Sequence, residues 1–154
     1  MDATSDVFDR RPDDFQSVSV QLQSFGGHAR FQGAIRTISC LEDNGLVKSV
    51  LNTPGNGDVL VIDGRMSLRS ALMGDMIGAS AVEQGWSGVV IFGAIRDRAE
   101  LAKLPLGVKA LGSNPRKSSK SGEGVLDSIL VIDDVTFRPG ALIICDEDGV
   151  LVEF

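Results

Sequence analysis

The sequence predicts an α/β fold, a mixed sheet with flanking helices through the middle of the chain, closed by an antiparallel β layer. Three observations predict it. Between residues 30 and 112 short apolar runs alternate with stretches whose apolar residues fall at helical spacing, the pattern of strand–helix–strand units with some parallel pairing. Beyond residue 125 four short apolar runs are separated by Asp, Gly and Pro, which reads as turns between antiparallel strands. A chain of 154 residues also suits one domain, which buries roughly two thirds of its unfolded surface and folds without a staple.

Residues 1–13 are polar and include Pro12, and they read as a loosely docked terminus. RFQGAIRTISC (30–40) alternates around a glycine as a strand does. In EDNGLVKSVLN (42–52) Leu46, Val47, Val50 and Leu51 share a helical face, with Asp43 or Asn44 placed to cap its start. TPGNG is a turn, and DVLVIDG (58–64) is a short buried strand. Gly74 interrupts SLRSALMGDMIGASAVEQGW (67–86), dividing it into an extended piece and a helix from Asp75 to Gln84 that Gly85 stops. GVVIFGA (88–94) is the next buried strand, RAELAKL is a helix ended by Pro105, and GVKALG (107–112) is another strand. SNPRKSSKSGEG (113–124) is a Gly/Ser/Lys loop, followed by strands in LDSILVI, VTFRPG, ALIICD and GVLVEF.

Composition narrows the function. At 43% hydrophobic and 23% charged the chain is an ordinary globular protein, and with seven Phe, one Trp and no Tyr its core must be aliphatic. A net charge of −6 and a pI near 4.7 argue against direct nucleic-acid binding, which needs Lys and Arg to displace phosphate counterions; an acidic surface suits a basic protein partner. No apolar run approaches the ~20 residues of a membrane helix, and MDATSDVFDRRPDDF lacks the apolar stretch of a signal peptide. Cys40 and Cys145 lie in strand-like surroundings without metal-ligand spacing, so buried free thiols in the cytoplasm are expected, with one disulfide as the alternative.

Several chemistries are missing from the sequence. His28 is the only histidine, which removes multi-histidine zinc and iron sites. No serine sits in a GxSxG elbow, no GxxxxGK[ST] loop is present, and no GxGxxG follows a strand. NPRKSSK has the charge to hold an anion but reads as a solvated loop.

Attention therefore falls on Asp75, Arg96 and Asp97. Gly74–Asp75 opens a helix, where the N–H groups of residues 75–78 lack intrahelical partners and form an anion site that a glycine lets a ligand approach. The plain alternative, and the better one on spacing alone, is that Asp75 caps its own helix. Arg96–Asp97 ends a buried strand, and in open α/β sheets ligands bind outside the carboxyl ends of strands. Arg96 offers a planar fork for a carboxylate, and Asp97 a hard oxygen for Mg2+ or Mn2+. A surface ion pair of little consequence is the equal alternative.

SFGGHARFQGAIRTISCLEDNGLVKSVL, VLVIDG, ALMGDMIG, GWSGVVIFGAIRD, GVKALGSNPRKS, VTFRPG and DEDGVLV together resemble the RraA-like family, named for the regulator of ribonuclease activity A, over nearly the whole chain. The family includes metal-dependent 4-hydroxy-4-methyl-2-oxoglutarate aldolases, marked by an Asp, twenty intervening residues and Arg-Asp; Asp75, residues 76–95 and Arg96–Asp97 fit that pattern. The resemblance implies a swivelling β/β/α sandwich and a class II aldolase that also decarboxylates oxaloacetate. It implies that Asp97 ligates the divalent cation directly and Asp75 through a water. It further implies that Arg96, with backbone N–H groups within Gly74, Asp75, Met76 and Ile77, grips the carboxylate of a small 2-oxo acid.

The resemblance also implies a homotrimer with sites at subunit interfaces. In larger aldolases of the family an acidic residue from a neighbouring subunit completes the metal's outer shell. Here that contribution is expected to be missing, and Asp146, Glu147 and Asp148 are not assigned to replace it. The alternative role is a regulator that binds a ribonuclease E-type protein and inhibits RNA turnover. A third label within the family, menaquinone-pathway methyltransferase, fits poorly, because VLVIDGRMS is a weak match to a methyl-donor loop.

Overall fold

In the computed structural model, which describes Met1–Phe154, the elements follow in chain order. The first half holds α1 (Thr4–Arg10), β1 (Phe15–Ser17), β2 (Gln23–Ser24), β3 (Phe31–Ser39), α2 (Gly45–Leu51), β4 (Val59–Asp63), β5 (Ala71–Met73) and α3 (Asp75–Glu83). The second half holds β6 (Gly88–Ile95), α4 (Arg98–Leu101), β7 (Gly107–Ser113), β8 (Val125–Leu126), β9 (Leu130–Ile132), β10 (Val135–Phe137), β11 (Leu142–Cys145) and β12 (Val150–Glu153).

The apolar runs of the middle section pair in parallel as β3-β4-β6-β7, and β5 joins the late part of β6. β11 and β12 extend this sheet antiparallel from β3, while β9 and β10 form a separate hairpin. Both faces of the parallel section are covered, so all eight residues of β6 are buried, as continuous apolar runs in parallel sheets require. Alternation divides the core in two. Leu60, Ile62, Val89 and Ile91 pack with Val47 and Leu51 of α2, Ala81 of α3 and Leu101 of α4. Val59, Val61, Val90 and Phe92 face the β-rich end, packing with Phe137, Ile143 and Val152; the Phe92 and Phe137 rings meet edge to face at 5.6 Å. The result is the layered β/β/α arrangement expected.

The register positions the site. Ala71 pairs with Ala94 and Met73 with Ile95, so β5 and β6 end side by side, and the Arg96 N–H donates to the Met73 carbonyl at 3.0 Å. The turn into α3 and the turn into α4 therefore leave the sheet at the same place.

Four features differ from the sequence reading. The polar terminus is a docked helix. Val7 packs on Phe15, Ile144 and Leu151, and the buried Asp146 carboxylate accepts from the Thr4 N–H at 2.8 Å and the Thr4 hydroxyl at 2.7 Å. A partner 142 residues away leaves no local signal. β1 and β2 are additional short strands, held by β12 and β7. α4 stops at Leu101, three residues before the Leu104 that the periodicity predicts. Asn44 occupies the N-cap position of α2, but its side chain makes no cap hydrogen bond, and Asp43 before it accepts the Gly45 N–H in a role given below. Both cysteines are free and buried, and no helix is long and apolar enough to cross a membrane.

Candidate active site

Asp97 stands two residues after the end of β6, at the N-cap position of α4, with a backbone φ of +61°, a left-handed conformation that Asp tolerates better than most residues. That turn brings its carboxylate back towards α3, where Oδ2 accepts the Asp75 N–H at 3.0 Å. Gly74 makes the approach feasible, since a Cβ there would lie 2.5 Å from the same Asp97 oxygen. Asp75 is the first residue of α3 and makes no side-chain cap, so the capping alternative does not hold. Asp97 thus uses one of the helix's unpartnered N–H groups, and those of Met76 and Ile77 remain at the helix start.

Neither Arg96 nor Asp97 forms an ion pair; the nearby exposed pair is Lys103 with Glu100. Arg96 makes a single long contact, Nη1 to the Pro115 carbonyl at 3.5 Å. Its guanidinium fork is free for an anion. Met76 is 83% exposed, so it offers the site its backbone and little of its side chain.

Gly74, Asp75, Met76, Ile77, Arg96 and Asp97 line one open cavity of about 110 Å³. Every site residue expected from the sequence is therefore in one place. The same cavity is lined by residues the sequence reading passed over, namely Asn44, Lys48, Lys117 and Lys120. Lys117 and Lys120 belong to the NPRKSSK loop read as solvated. The signal was present as a charge run, but only the fold turns it towards the site. His28 lies elsewhere, bridged to Gly107.

The donors suit one kind of metal. No group of three or more His, Cys, Asp or Glu converges in the chain, which leaves two carboxylates, Asp75 and Asp97, at an open cavity. Hard oxygens and few protein ligands fit Mg2+ or Mn2+, which keep several waters. They do not fit a closed zinc site.

A family model described as RraA-like, Aldolase/RraA, matches residues 4–152. The chain is 49% identical over 148 residues, 96% of its length and 93% of the relative's, to a Laribacter hongkongensis protein provisionally named 4-hydroxy-4-methyl-2-oxoglutarate aldolase. It is similar, with a TM-score of 0.97 and 43% identity, to a Geobacillus kaustophilus structure described as an S-adenosylmethionine:2-dimethylmenaquinone methyltransferase, covering 99% of this chain and 94% of that one. It is also similar, with a TM-score of 0.95 and 44% identity, to a Thermus thermophilus structure described as the RNA-processing inhibitor RraA, covering 99% of this chain and 93% of that one.

Proposed function

The chain belongs to the RraA-like family, and from that premise we propose that it is a divalent-metal-dependent carbon–carbon lyase. Its substrate is 4-hydroxy-4-methyl-2-oxoglutarate, cleaved to two pyruvates, and oxaloacetate is decarboxylated at the same site. The observation that carries this reading is the convergence of an unpaired Arg96, an open Asp97 and the Asp75 helix start in one cavity.

Both reactions break the bond between the third and fourth carbons and leave its electrons on a pyruvate enolate. In the aldol cleavage the 4-hydroxyl loses its proton and becomes the ketone of the second pyruvate. In the decarboxylation carbon dioxide departs. In each case the third carbon is then protonated. A divalent cation held by Asp97, with Asp75 reaching it through water, would supply Lewis acidity to the 2-oxo group, where negative charge develops. Arg96 receives the adjacent carboxylate in a bidentate pair, helped by the N–H groups at the start of α3. This fixes the orientation of the 2-oxo group relative to Asp97. The Asp97–Asp75 N–H hydrogen bond holds the carboxylate in place before substrate arrives.

The test is pyruvate release from both substrates with Mg2+ or Mn2+, with EDTA, and with an Asp97→Asn protein. Metal-dependent release that the variant loses supports the reading; release no faster than with metal alone sinks it. A second reading, inhibition of a ribonuclease E-type protein, rests on the net charge of −6 and on the 44% identical structure described as an RNA-processing inhibitor. Binding of such a partner by the chain, without turnover, would favour it. A methyltransferase reading has little support, since Cys40–Asn44 after the first parallel strand contains no glycine. We expect a homotrimer, in which the exposed Val125, Leu126, Ile129 and Val131 would be covered.

A further inference from the structure

The cavity carries more positive charge than a single carboxylate uses. Lys48, Arg96, Lys117 and Lys120 line it against Asp75 and Asp97, a surplus of two positive charges (four minus two) on a chain of net charge −6. Arg96 accounts for the carboxylate beside the 2-oxo group. The three lysines come from α2 and from the 113–124 loop, and something must hold these together.

Asp43 does so. Its buried carboxylate accepts from the N–H groups of Gly45 at 2.9 Å, Gly122 at 3.1 Å and Glu123 at 3.4 Å. Around it Asn44 N–H donates to the Ser119 carbonyl at 2.9 Å, and Ser119 N–H to the Glu42 carbonyl at 3.0 Å. Ser118 Oγ donates to the Ala71 carbonyl at 2.8 Å. The two segments approach so closely that a Cβ at Gly45 would lie 2.5 Å from Gly122 N. The loop is therefore fastened to the start of α2 at Ser119, Gly122 and Glu123 and to β5 at Ser118, with Lys117 and Lys120 flanking Ser118 and Ser119.

Asn44 supplies an independent sign that something binds here. It is 93% buried (7% exposed), it lines the cavity, and its Oδ1 has no hydrogen-bond partner. A buried acceptor without a donor is costly, and a bound group can supply the donor.

We propose that Asp43 is a positioning residue for substrate selection, holding the Lys117–Lys120 segment beside Asn44 so that the cavity prefers 2-oxo acids bearing a second carboxylate. The proposal rests on the lyase reading for the placement of the first carboxylate at Arg96. The second carboxylate then lies among Lys48, Lys117 and Lys120, where clustered like charges focus the field on an anion. Asn44 Oδ1 accepts from a hydroxyl carried beside that carboxylate.

The test is calorimetric binding of 2-oxoglutarate and of 2-oxovalerate to the full chain with Mn2+. The two acids have the same carbon count and differ in one carboxylate, and neither is split by the proposed chemistry. The wild type should favour 2-oxoglutarate by about ten-fold or more. Asp43→Asn, which turns an amide NH2 towards backbone N–H groups, should bring that ratio towards one. Lys120→Ala should lower it several-fold, and because Lys120 is exposed this variant decides the matter even if Asp43→Asn does not fold. A ratio near one in the wild type, or a ratio that folded variants leave unmoved, overturns the proposal. A strong preference in a protein that releases no pyruvate removes the lyase reading and keeps the selection. Pyruvate release with a flat ratio does the reverse.

Discussion

Asp43 and Asp146 differ from Asp75 and Asp97 in what their oxygens meet. Asp43 accepts from three backbone N–H groups, and Asp146 accepts from the N–H and hydroxyl of Thr4 and the N–H of Asp148. Both are buried, and Asp43 ties the 122–123 backbone to the start of α2 while Asp146 ties the start of α1 to the end of β11. Asp97 accepts one N–H, and the Asp75 side chain makes no hydrogen bond or ion pair within the protein. An acid whose lone pairs are filled by the chain fastens a loop. An acid whose lone pairs stay open beside a cavity is available to a cation.

The largest expected effect tests the open pair. Asp97→Asn keeps the side-chain shape and its tolerance of the left-handed backbone, so the melting temperature should barely move. Metal-dependent pyruvate release should fall by about 10²–10³-fold, as for the loss of one electrostatic stabiliser. An unfolded variant would place Asp97 with the fastening acids instead. Arg96→Lys comes next, because a point charge replaces the planar fork. It should weaken the transition state by about 1.5–3 kcal/mol, the scale of a hydrogen bond to a charged group, and steady-state kinetics with oxaloacetate would measure it.

Asp146→Ala tests the fastened pair. It leaves the Thr4 and Asp148 donors without their acceptor, at a cost of about 1–3 kcal/mol. Chemical denaturation should record the loss, and amide exchange should show α1 opening first. Activity of the folded fraction should be unaffected; a loss of kcat would end the distinction between the two pairs.

The fourth prediction concerns acid. Burial raises the pKa of Asp43, but the N–H groups of Gly45, Gly122 and Glu123 and the Ser119 side chain outweigh it and hold the carboxyl below its ordinary value. Asp146 is likewise opposed by burial and held below its ordinary value by Thr4, Asp148 and Gly149. For groups with depressed folded pKa values the stabilisation is complete above the unfolded pKa, about 3.9, and disappears as pH falls through the folded values. Melting temperature should therefore drop below about pH 4, and less steeply in Asp43→Asn. The smallest effect belongs to the exposed Glu100–Lys103 pair, where Glu100→Ala should change stability by no more than ~0.5 kcal/mol.

Much of the middle section was legible in the sequence. The parallel strands begin and end within a residue or two of the apolar runs, because strands buried on both faces must be apolar throughout. Asp75, Arg96 and Asp97 drew notice because each stands where a strand gives way to a helix, but on spacing alone a helix cap and a surface ion pair explained them as well or better. It was the family's pattern of Asp, twenty residues and Arg-Asp that singled them out. Helix α1, Asp146 and the cavity lysines were not. Each depends on a partner far along the chain, and polar side chains leave no periodicity when their contacts are non-local. The charge run of NPRKSSK gave composition without direction.

By itself the sequence determined the strand–helix alternation, the division into a parallel section and a β-rich end, and three charged residues at strand and helix ends. These follow from local periodicity and turn chemistry, which a chain carries in consecutive residues. Only the tertiary structure decided that β5 and β6 end together, that Asp97 turns back onto the start of α3, and that Asp43 brings Asn44 and two lysines to the same cavity. Those outcomes depend on strand register and on hydrogen bonds between segments up to 80 residues apart, which exist only once the sheet has formed.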